Sequence, residues 1–390
     1  MFVTYDADLT AVPEAILLVP FLATVAPIAW VLGAELHVPV VEAAFLEALQ
    51  RVRQSLQHLH PALDWGGDIR AEAVVDCADT YRSERVALLF SGGVDSLASY
   101  VNHRREKPLL VSVWGADIGL SQRHRWQQVA AGNLAFARSQ GLDISLVKTN
   151  FRTFFNHYKL RARFLSGFES WYSGVQQGLG LVGLCAPLAY VHHLARVRIA
   201  ATHTADSNKS WGTHPTIDNN VRWGSTEVVH DGYHLSRQMK LGVLAEYIRD
   251  HDRRLQLRVC WGRAANCSRC CKCCVTMVGL VLEGLNPQEH GFRFDATTFS
   301  HIRRQLEAGR MHLSEFLVWR WMEVQRRIPT RTRIEIEGLD QFLAWLQGIS
   351  IRQCMEKNHR LARTRMRSYL ETRPEPIGRW IRKAIGHPFP

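Results

Sequence analysis

The hexapeptide S-G-G-V-D-S at residues 91–96 constrains this chain more than any other segment. The apolar run at 86–90 predicts a buried parallel strand before it, and residues 97–100 predict the first turn of a helix after it. A glycine turn between a strand and a helix N-terminus directs several backbone N–H groups to one place, where the helix dipole adds positive potential. Gly92 and Gly93 have no Cβ, so an oxyanion can approach their backbone. The segment therefore predicts an anion-binding turn in a parallel α/β sheet.

The other residues of the hexapeptide add polar groups to this turn. Ser91 and Ser96 supply hydroxyl donors, and Asp95 is suited to hold a magnesium ion or to cap the helix. The loop is not a Walker A loop, which requires G-x-x-x-x-G-K-[ST] with a lysine beside the phosphates. An ordinary Gly-Gly turn with a serine cap is the alternative. The position of the hexapeptide between a predicted strand and a predicted helix favours a phosphate-binding loop over this alternative.

The motif resembles the PP-loop of the ATP pyrophosphatase superfamily, whose signature is S-G-G-x-D-S after the first strand of a doubly wound parallel sheet. The resemblance covers about residues 84–285 and implies an α/β fold of the adenine nucleotide alpha hydrolase type. It implies binding of ATP with Mg²⁺, and cleavage between the α- and β-phosphates. AMP would pass to a substrate oxygen while the loop holds pyrophosphate. The residues that it assigns to the nucleotide are Ser91, Gly92, Gly93, Val94, Asp95, Ser96 and Asp117.

Periodicity and composition predict four parts of the chain. They are an N-terminal α/β module at 1–82, an ATP-binding domain at 83–255, a Cys-rich zinc element at 256–290 and a helical basic region at 291–390. The strands predicted in the ATP-binding domain are 86–90, 109–113, 144–147 and 197–201, with a tightly packed helix at 173–191. The elements predicted in the N-terminal module are strands at 16–19 and 69–75, a buried element at 21–32 broken by Pro27, and a helix at 41–59.

An uncharged run at 15–34 is long enough to span a bilayer. Two prolines interrupt it, and the segment before it carries acidic residues and no Lys or Arg, whereas a signal peptide has a positive n-region. The run is therefore expected to form a buried strand and a short core helix. We expect a soluble, cytoplasmic protein without a membrane partner.

The net charge of +12 indicates anionic partners, but it is unevenly spread. Residues 351–390 hold ten Lys or Arg and three Asp or Glu. Such a tail is typical of a solvated basic helix end, and contact with phosphate or RNA is the alternative. Nucleic acid therefore stays a possible partner, although a small-molecule substrate is favoured.

Polar residues crowd the segment that follows the fourth predicted strand. Ligands of open α/β sheets bind beyond the carboxyl ends of the strands, so we expect these residues near the glycine loop. Candidates for binding the substrate are Lys209, His214, Asp218, Arg222 and Lys240. Candidates for catalysis, besides Asp95, are Glu227, His230 and Asp231, and His214 is a further candidate base. The alternative for each is that it merely satisfies loop backbone.

Six of the nine cysteines lie between residues 260 and 274, with repeated C-x-x-C spacing. Thiolates at this spacing can close a tetrahedron around zinc, and an iron–sulfur cluster is the chemical alternative. The favoured ligands are Cys260, Cys267, Cys270 and Cys273. This set is similar to the C-terminal zinc element of PP-loop enzymes, N-C-x-x-C-x-x-C followed by an L-R-T-M-like helix. Asn266, Thr276 and Met277 match that pattern, whereas Cys274 and Val275 replace Leu-Arg, and Cys271 is an extra thiol.

Two branches of the superfamily look closest. One contains 7-cyano-7-deazaguanine synthase, in which ammonia displaces AMP from an adenylated carboxylate to form an amide and then a nitrile. The other contains the UDP-N-acetylmuramoyl-L-alanyl-L-glutamate epimerase family, in which adenylation acidifies the adjacent C–H. The stretches at 211–218 and 230–232 look more like the second. Both imply a small-molecule or peptide-like carboxylate substrate. A tRNA-modifying enzyme and a non-catalytic nucleotide-binding accessory protein are the alternatives.

Overall fold

The computed structural model describes residues 1–371 except 79–82, 165–169, 208, 253 and 331–332, and of residues 365–371 only the backbone. Residues 372–390, the end of the predicted basic region, lie outside the described residues, as does the predicted boundary at 82. The chain divides into two compact units, Met1–Leu244 and Ala245–Pro390. The four predicted parts stay a prediction.

The first unit is built on a seven-stranded, mostly parallel sheet, and its predicted α/β class is confirmed. The strands of the chain are β1 (Val3–Thr4), β2 (Glu35–Glu42), β3 (Asp68–Val75), β4 (Val86–Leu89), β5 (Leu109–Trp114), β6 (Ile144–Thr149), β7 (Arg196–Ala200), β8 (Arg222–Trp223) and β9 (Thr226–Asp231). The order in the sheet is β1-β6-β5-β4-β7-β9-β8, in which the outer strands β1 and β8 are antiparallel to their neighbours. β2 and β3 form a separate parallel pair.

The strand order reverses at β4. From β4 the chain adds β5 and then β6 on one side, and it crosses to the other side of β4 for β7 and β9. All five of these strands run parallel, so their carboxyl ends share one edge of the sheet. That edge receives the loop at 91–96.

Helices cover the connections between the strands. In the first unit they are Glu14–Leu17, Val19–Leu32, Ala43–Leu59, Val94–His103, Arg123–Gln140, His157–Phe164, Gln177–Gly183, Ala186–Val191 and Pro215–Asp218, with a π-helical turn at Tyr172–Gln176 and 3₁₀ turns at Arg104–Glu106 and Ala205–Ser207. Arg237–His251 begins in the first unit and ends in the second. In the second they are Cys271–Leu282, Thr298–Glu307, Glu315–Arg326, Leu339–Gly348 and Ile351–Glu371, with a 3₁₀ turn at Pro287–His290.

The predicted strand at 16–19 is wrong, because Glu14–Leu17 and Val19–Leu32 are helices. Most of Val19–Leu32 is buried, so its sequence is apolar on every face and carries no periodicity that separates a helix from a buried strand. Pro20 lies in the first turn, where its missing N–H costs nothing, and Pro27 lies inside the helix without ending it. The predicted helix at 41–59 and the strand at 69–75 are confirmed to within two residues.

The segment Tyr172–Val191 is, among the described helices, the one long and apolar enough to cross a membrane, and 78% of it is buried inside the protein. Buried core helices of soluble proteins have the same composition. Its glycines pack closely, since a Cβ on Gly180 would lie 2.9 Å from the Phe151 ring and one on Gly183 would lie 2.5 Å from Ala23 Cβ. The predicted tightly packed helix is therefore confirmed.

Candidate functional site

The loop at residues 91–96 lies at the reversal of strand order, between the carboxyl end of β4 and the helix Val94–His103. Gly92 has a φ of +69°, which L-residues with a side chain seldom adopt, and Gly93 is extended at the helix N-cap. Two neighbouring strands diverge at such a point and leave a crevice at the carboxyl edge. The loop is thus at the ligand-binding position of an open α/β sheet.

Hydrogen bonds within the loop hold its shape. Ser96 Oγ accepts from the Ser91 amide at 3.3 Å and donates to the Gly93 carbonyl at 3.2 Å, while Ser91 Oγ accepts from the Gly93 amide at 3.3 Å. Both predicted donor hydroxyls therefore also brace the loop. No acceptor among the described residues takes the amides of Gly92, Val94 and Ser96. Those three donors are the loop's capacity for an anion.

A buried polar chain supports the loop from the neighbouring strand and helix. Ser112 Oγ on β5 donates to the Phe90 carbonyl at 2.7 Å and accepts from Asn133 Nδ2 at 3.0 Å. The other end of the Asn133 amide, Oδ1, lies 2.7 Å from where a Cβ on Gly92 would be. Asn133 therefore fills the space beneath Gly92 and explains why that position needs a glycine.

Asp95 is the anchor for two buried cations. Its Oδ2 accepts from Arg237 Nη2 at 3.0 Å, and its Oδ1 accepts from Lys240 Nζ at 3.3 Å. Lys240 also donates to the Ala201 carbonyl at the end of β7. Each oxygen of Asp95 contacts one cationic side chain, and the predicted magnesium role of Asp95 stays a prediction. Asp95 positions Arg237 and Lys240 beside the loop.

Asp231 ends β9 at the same edge and faces the helix that starts at Val94. Ser99 Oγ donates to its Oδ2 at 2.6 Å, and His103 Nε2 lies 2.9 Å from its Oδ1. Burial opposes the charge on Asp231, but the hydrogen bonds from His103 and Ser99 outweigh it and hold the pKa below its usual value. The bond to Asp231 in turn raises the pKa of His103. This predicted catalytic carboxylate is thus an ionised partner of helix side chains.

Asp218 and His230 form a buried pair on the other face of β9. Asp218 Oδ2 lies 2.7 Å from His230 Nδ1, and both side chains are essentially inaccessible to solvent. Burial raises the pKa of Asp218 although the hydrogen bond to His230 works against it. His230 Nε2 and Asp218 Oδ1 are buried without a hydrogen-bond partner among the described residues. Asp218 therefore positions His230. Because its carboxylate is buried, Asp218 does not present the exposed group that the predicted contact with substrate would need.

His214 and Tyr233 complete this cluster. The Tyr233 hydroxyl lies 3.1 Å from His214 Nε2, and the Tyr233 ring meets both His214 and His230 edge-on at 5.5 Å. Burial and the nearby His230 lower the pKa of His214, which keeps its imidazole neutral at pH 7. A neutral histidine is the form that accepts a proton.

Two predicted residues do not join the site. Glu227 is the second residue of β9 and Asp231 is the last, so Glu227 lies at the amino edge of the sheet, where it pairs with Arg196 at 3.4 Å. Arg222 pairs with Glu227 in strand register and contacts Glu47 at 2.8 Å. Both predictions placed these residues in a loop at the carboxyl edge of the sheet. They are wrong, because Arg222 lies in β8 and Glu227 lies near the start of β9.

The remaining candidates have partial support. Asp117 is exposed just beyond the carboxyl end of β5, at the expected edge. Gly115 before it has a φ of +107°, and a Cβ there would collide with the Thr149 carbonyl, which makes this turn tight. Lys209 is half-buried in the segment that follows β7, and no carboxylate lies within 4 Å of it among the described residues.

The second unit contains the predicted cysteine cluster. Ligand atoms of Cys260, Cys267, Cys270 and Cys273 all lie within 4.8 Å of one another. The Sγ atoms of Cys267 and Cys273 are 3.9 Å apart, and four Zn–S bonds of about 2.3 Å in a tetrahedron require about 3.8 Å. The thiol of Cys273 donates to Cys270 and lowers the pKa of Cys270 to about 5, so the cluster already favours a thiolate. This four-cysteine cluster can hold a metal ion such as zinc.

The other two thiols of this region stay outside the cluster. Burial raises the pKa of Cys271 to about 12, and its Sγ accepts from Trp321 Nε1 at 3.2 Å. Burial likewise raises the pKa of Cys274 well above its usual value. Asn266 shapes the turn, because its Oδ1 accepts from the Val259 amide at 2.9 Å while its Nδ2 donates to the Leu257 carbonyl at 2.7 Å.

Sequence reasoning missed several residues that shape the site. Arg237 lies three residues before Lys240, a helical spacing that could have paired them. Ser112, Asn133 and Ser99 carried no signal, since each acts through a contact with a distant element. Comparisons with protein-family models, with curated proteins and with solved structures found no match.

Proposed function

We propose that this protein cleaves ATP to AMP and pyrophosphate and uses the AMP to adenylate a carboxylate of a small-molecule or peptide-like substrate. The observation that carries the proposal is the loop at 91–96, with three amides that meet no acceptor among the described residues, at the reversal of strand order. The strand order β6-β5-β4-β7-β9 is that of a doubly wound sheet, and we propose the adenine nucleotide alpha hydrolase type of fold.

The chain's own groups account for the first step. A carboxylate oxygen of the substrate attacks the α-phosphorus, the bond to the bridging oxygen breaks, and pyrophosphate leaves with the electron pair. The amides of Gly92, Val94 and Ser96 would bind the leaving pyrophosphate. Arg237 and Lys240, fixed by Asp95, would offset the charge that builds on it. Magnesium would arrive with the nucleotide and stabilise charge on its phosphates.

Asp117 and the tight turn at Gly115 support a nucleoside position beyond β5. The carboxylate of Asp117 is exposed, and a carboxylate at the end of a neighbouring strand is suited to accept from ribose hydroxyls. The phosphates would then lie at β4 and the nucleoside one strand away, about 5 Å across the sheet.

For the second step of the reaction, the side chains at the carboxyl end of β9 favour proton transfer. His214, His230, Tyr233 and Asp218 gather at the carboxyl end of β9, and His214 is neutral at pH 7. An adenylated carboxylate acidifies the adjacent C–H, so a base there would lead to epimerisation. Incubation with ATP in deuterated water should place deuterium at that carbon. Amide formation without deuterium would favour the ammonia-dependent alternative.

We further propose that the four-cysteine cluster holds structural zinc. All four positions of the tetrahedron are filled by protein ligands, which leaves no site for water or substrate. Zinc binding would then stabilise the second unit rather than act in the chemistry.

Product analysis tests the proposed reaction. Protein, ATP, magnesium and a panel of amino acids, peptidoglycan precursors and deazapurine acids should give AMP and pyrophosphate with the right acid. Asp95→Asn should abolish turnover because Arg237 and Lys240 lose their anchor, whereas Asp143→Asn at the amino edge should not. ADP and phosphate as products would contradict the reaction class.

A further inference from the structure

One basic segment of the first unit is not used by the proposed reaction. Residues 144–168 contain five Lys or Arg, one His and no Asp or Glu. Its described part, residues 144–164, starts with β6 and continues past the carboxyl end of that strand, at the edge of the sheet that also carries the loop at 91–96. β6 lies two strands from β4, about 10 Å across the sheet.

Within this segment, the helix His157–Phe164 has an inner and an outer side. His157, Leu160 and Phe164 are half-buried at helical spacing, and the last two pack against the core. The Phe164 ring lies 6.3 Å from that of Trp171. The exposed residues are Tyr158, Lys159, Arg161, Ala162 and Arg163, which we call the 157–164 surface.

The described residues offer no carboxylate partner to the cations of this surface. Among them, no Asp or Glu lies within 4 Å of Lys159, Arg161 or Arg163. Lys159 and Arg163 are four residues apart, a spacing at which like charges destabilise a helix, and eight residues are too few for a stable helix alone. Packing of Leu160 and Phe164 against the core holds the helix instead. The Lys159 amide also donates to Asn156 Oδ1 at 3.1 Å, which caps the helix. Helix stability therefore does not account for this charge pattern.

Tyr158 distinguishes between anionic partners. Its side chain is 89% exposed, the highest value among the large hydrophobic residues that the structure describes, and it is a neighbour of Arg161 on the helix surface. A membrane-binding helix presents a row of apolar residues, which the outer side lacks. A single exposed ring among cations is instead suited to stack on an unpaired base while the cations contact phosphates.

We propose that the 157–164 surface binds single-stranded nucleic acid, with Lys159, Arg161 and Arg163 at phosphates and Tyr158 stacked on a base. This inference goes beyond the proposed adenylation and does not depend on it. A duplex would not offer a base to an exposed ring, so single strands are the expected ligands.

The test is fluorescence anisotropy of labelled 15-nucleotide oligo(U) and oligo(dT) with the full chain. A Lys159→Gln/Arg161→Gln/Arg163→Gln variant should bind about 100-fold more weakly at 0.1 M salt, and its slope of log K against log salt should fall by about 2. The matched control removes three exposed cations at the amino edge of the same sheet, through Arg85→Gln/Arg105→Gln/Lys107→Gln, and should bind like the wild type.

Stacking has its own readout. Tyr158→Ala should weaken binding about 5- to 150-fold without changing the salt slope, and Tyr158→Phe should retain affinity. Equal losses in the two triple variants would overturn the proposal, because binding would then follow net charge alone. An unchanged Tyr158→Ala variant would overturn it too. A third result would also overturn the proposal: the 157–164 triple variant loses binding to phosphatidylserine vesicles but keeps oligonucleotide binding. The surface would then be a membrane site.

Discussion

Replacement of Gly92 by alanine is the sharpest test of how the loop at 91–96 is built. Gly92 has a φ of +69°, and an alanine held there costs about 1–2 kcal/mol. The new Cβ would also lie 2.7 Å from Asn133 Oδ1. Asn133 can withdraw only by loosening its 3.0 Å bond to Ser112, which adds about 1 kcal/mol. The expected cost is about 2–3 kcal/mol in the free energy of unfolding.

The assay is calorimetric unfolding of the full chain, followed in the transition of the first unit. A cost of this size lowers the melting temperature of a unit of 244 residues by about 5–10 °C. In an Asn133→Ala background the collision disappears, so Gly92→Ala should then cost about 1 kcal/mol less. Gly119→Ala is the matched control, since a Cβ there meets nothing nearer than 3.9 Å.

Two results would refute this reasoning. A melting temperature of Gly92→Ala within 2 °C of the wild type would mean that the loop does not need its left-handed glycine. An equal cost in both backgrounds would mean that Asn133 does not fill the space beneath Gly92. In either case the amides of the loop would not be fixed as described.

Three further predictions concern packing, protonation and metal. Gly178→Ala should destabilise the first unit by about 3 kcal/mol or more, because its Cβ would lie 2.1 Å from Asp218 Oδ1. Gly132→Ala, whose Cβ would lie in open space on a helix, should stabilise the unit by about 0.5–1 kcal/mol. A calorimetric melting temperature higher for Gly178→Ala than for Gly132→Ala would contradict the packing. The raised pKa of His103 means that its charged form stabilises the fold below pH 6.5 and that this stability is lost as pH rises through the higher folded pKa, so His103→Gln should lower the melting temperature more at pH 6 than at pH 9; equal losses would argue against the pairing. Metal analysis should give about one zinc per chain, reduced in Cys270→Ser and retained in Cys274→Ala; brown protein containing iron would reverse the assignment.

Features set by neighbours in sequence were predictable. The strand before Gly92, the turn itself and the helix after it follow from an apolar run, two glycines and a cap within about fifteen residues. The cysteine cluster follows likewise from C-x-x-C spacing, because a short knuckle must bring those thiols together. Both were confirmed in position, the first as a turn at the end of β4 and the second as a tetrad.

Features set by distant contacts were not. β9 was predicted as part of a polar loop because His230 and Asp231 are polar, although each finds its partner on another element and so lies within a strand. That error misplaced Glu227, since four residues of extended chain put it about 13 Å from Asp231. The role of Asn133 was not predicted for the same physical reason. Its contacts with Ser112 and Gly92 form only when the helix Arg123–Gln140 packs against β5.

A crystal structure with a non-hydrolysable ATP analogue tests the central claim most directly. The phosphates should lie within hydrogen-bonding distance, about 2.7–3.2 Å, of the Gly92, Val94 and Ser96 amides, with Arg237 and Lys240 still held by Asp95. An analogue bound elsewhere with this turn empty, or no binding at millimolar nucleotide, would contradict a phosphate site at the end of β4.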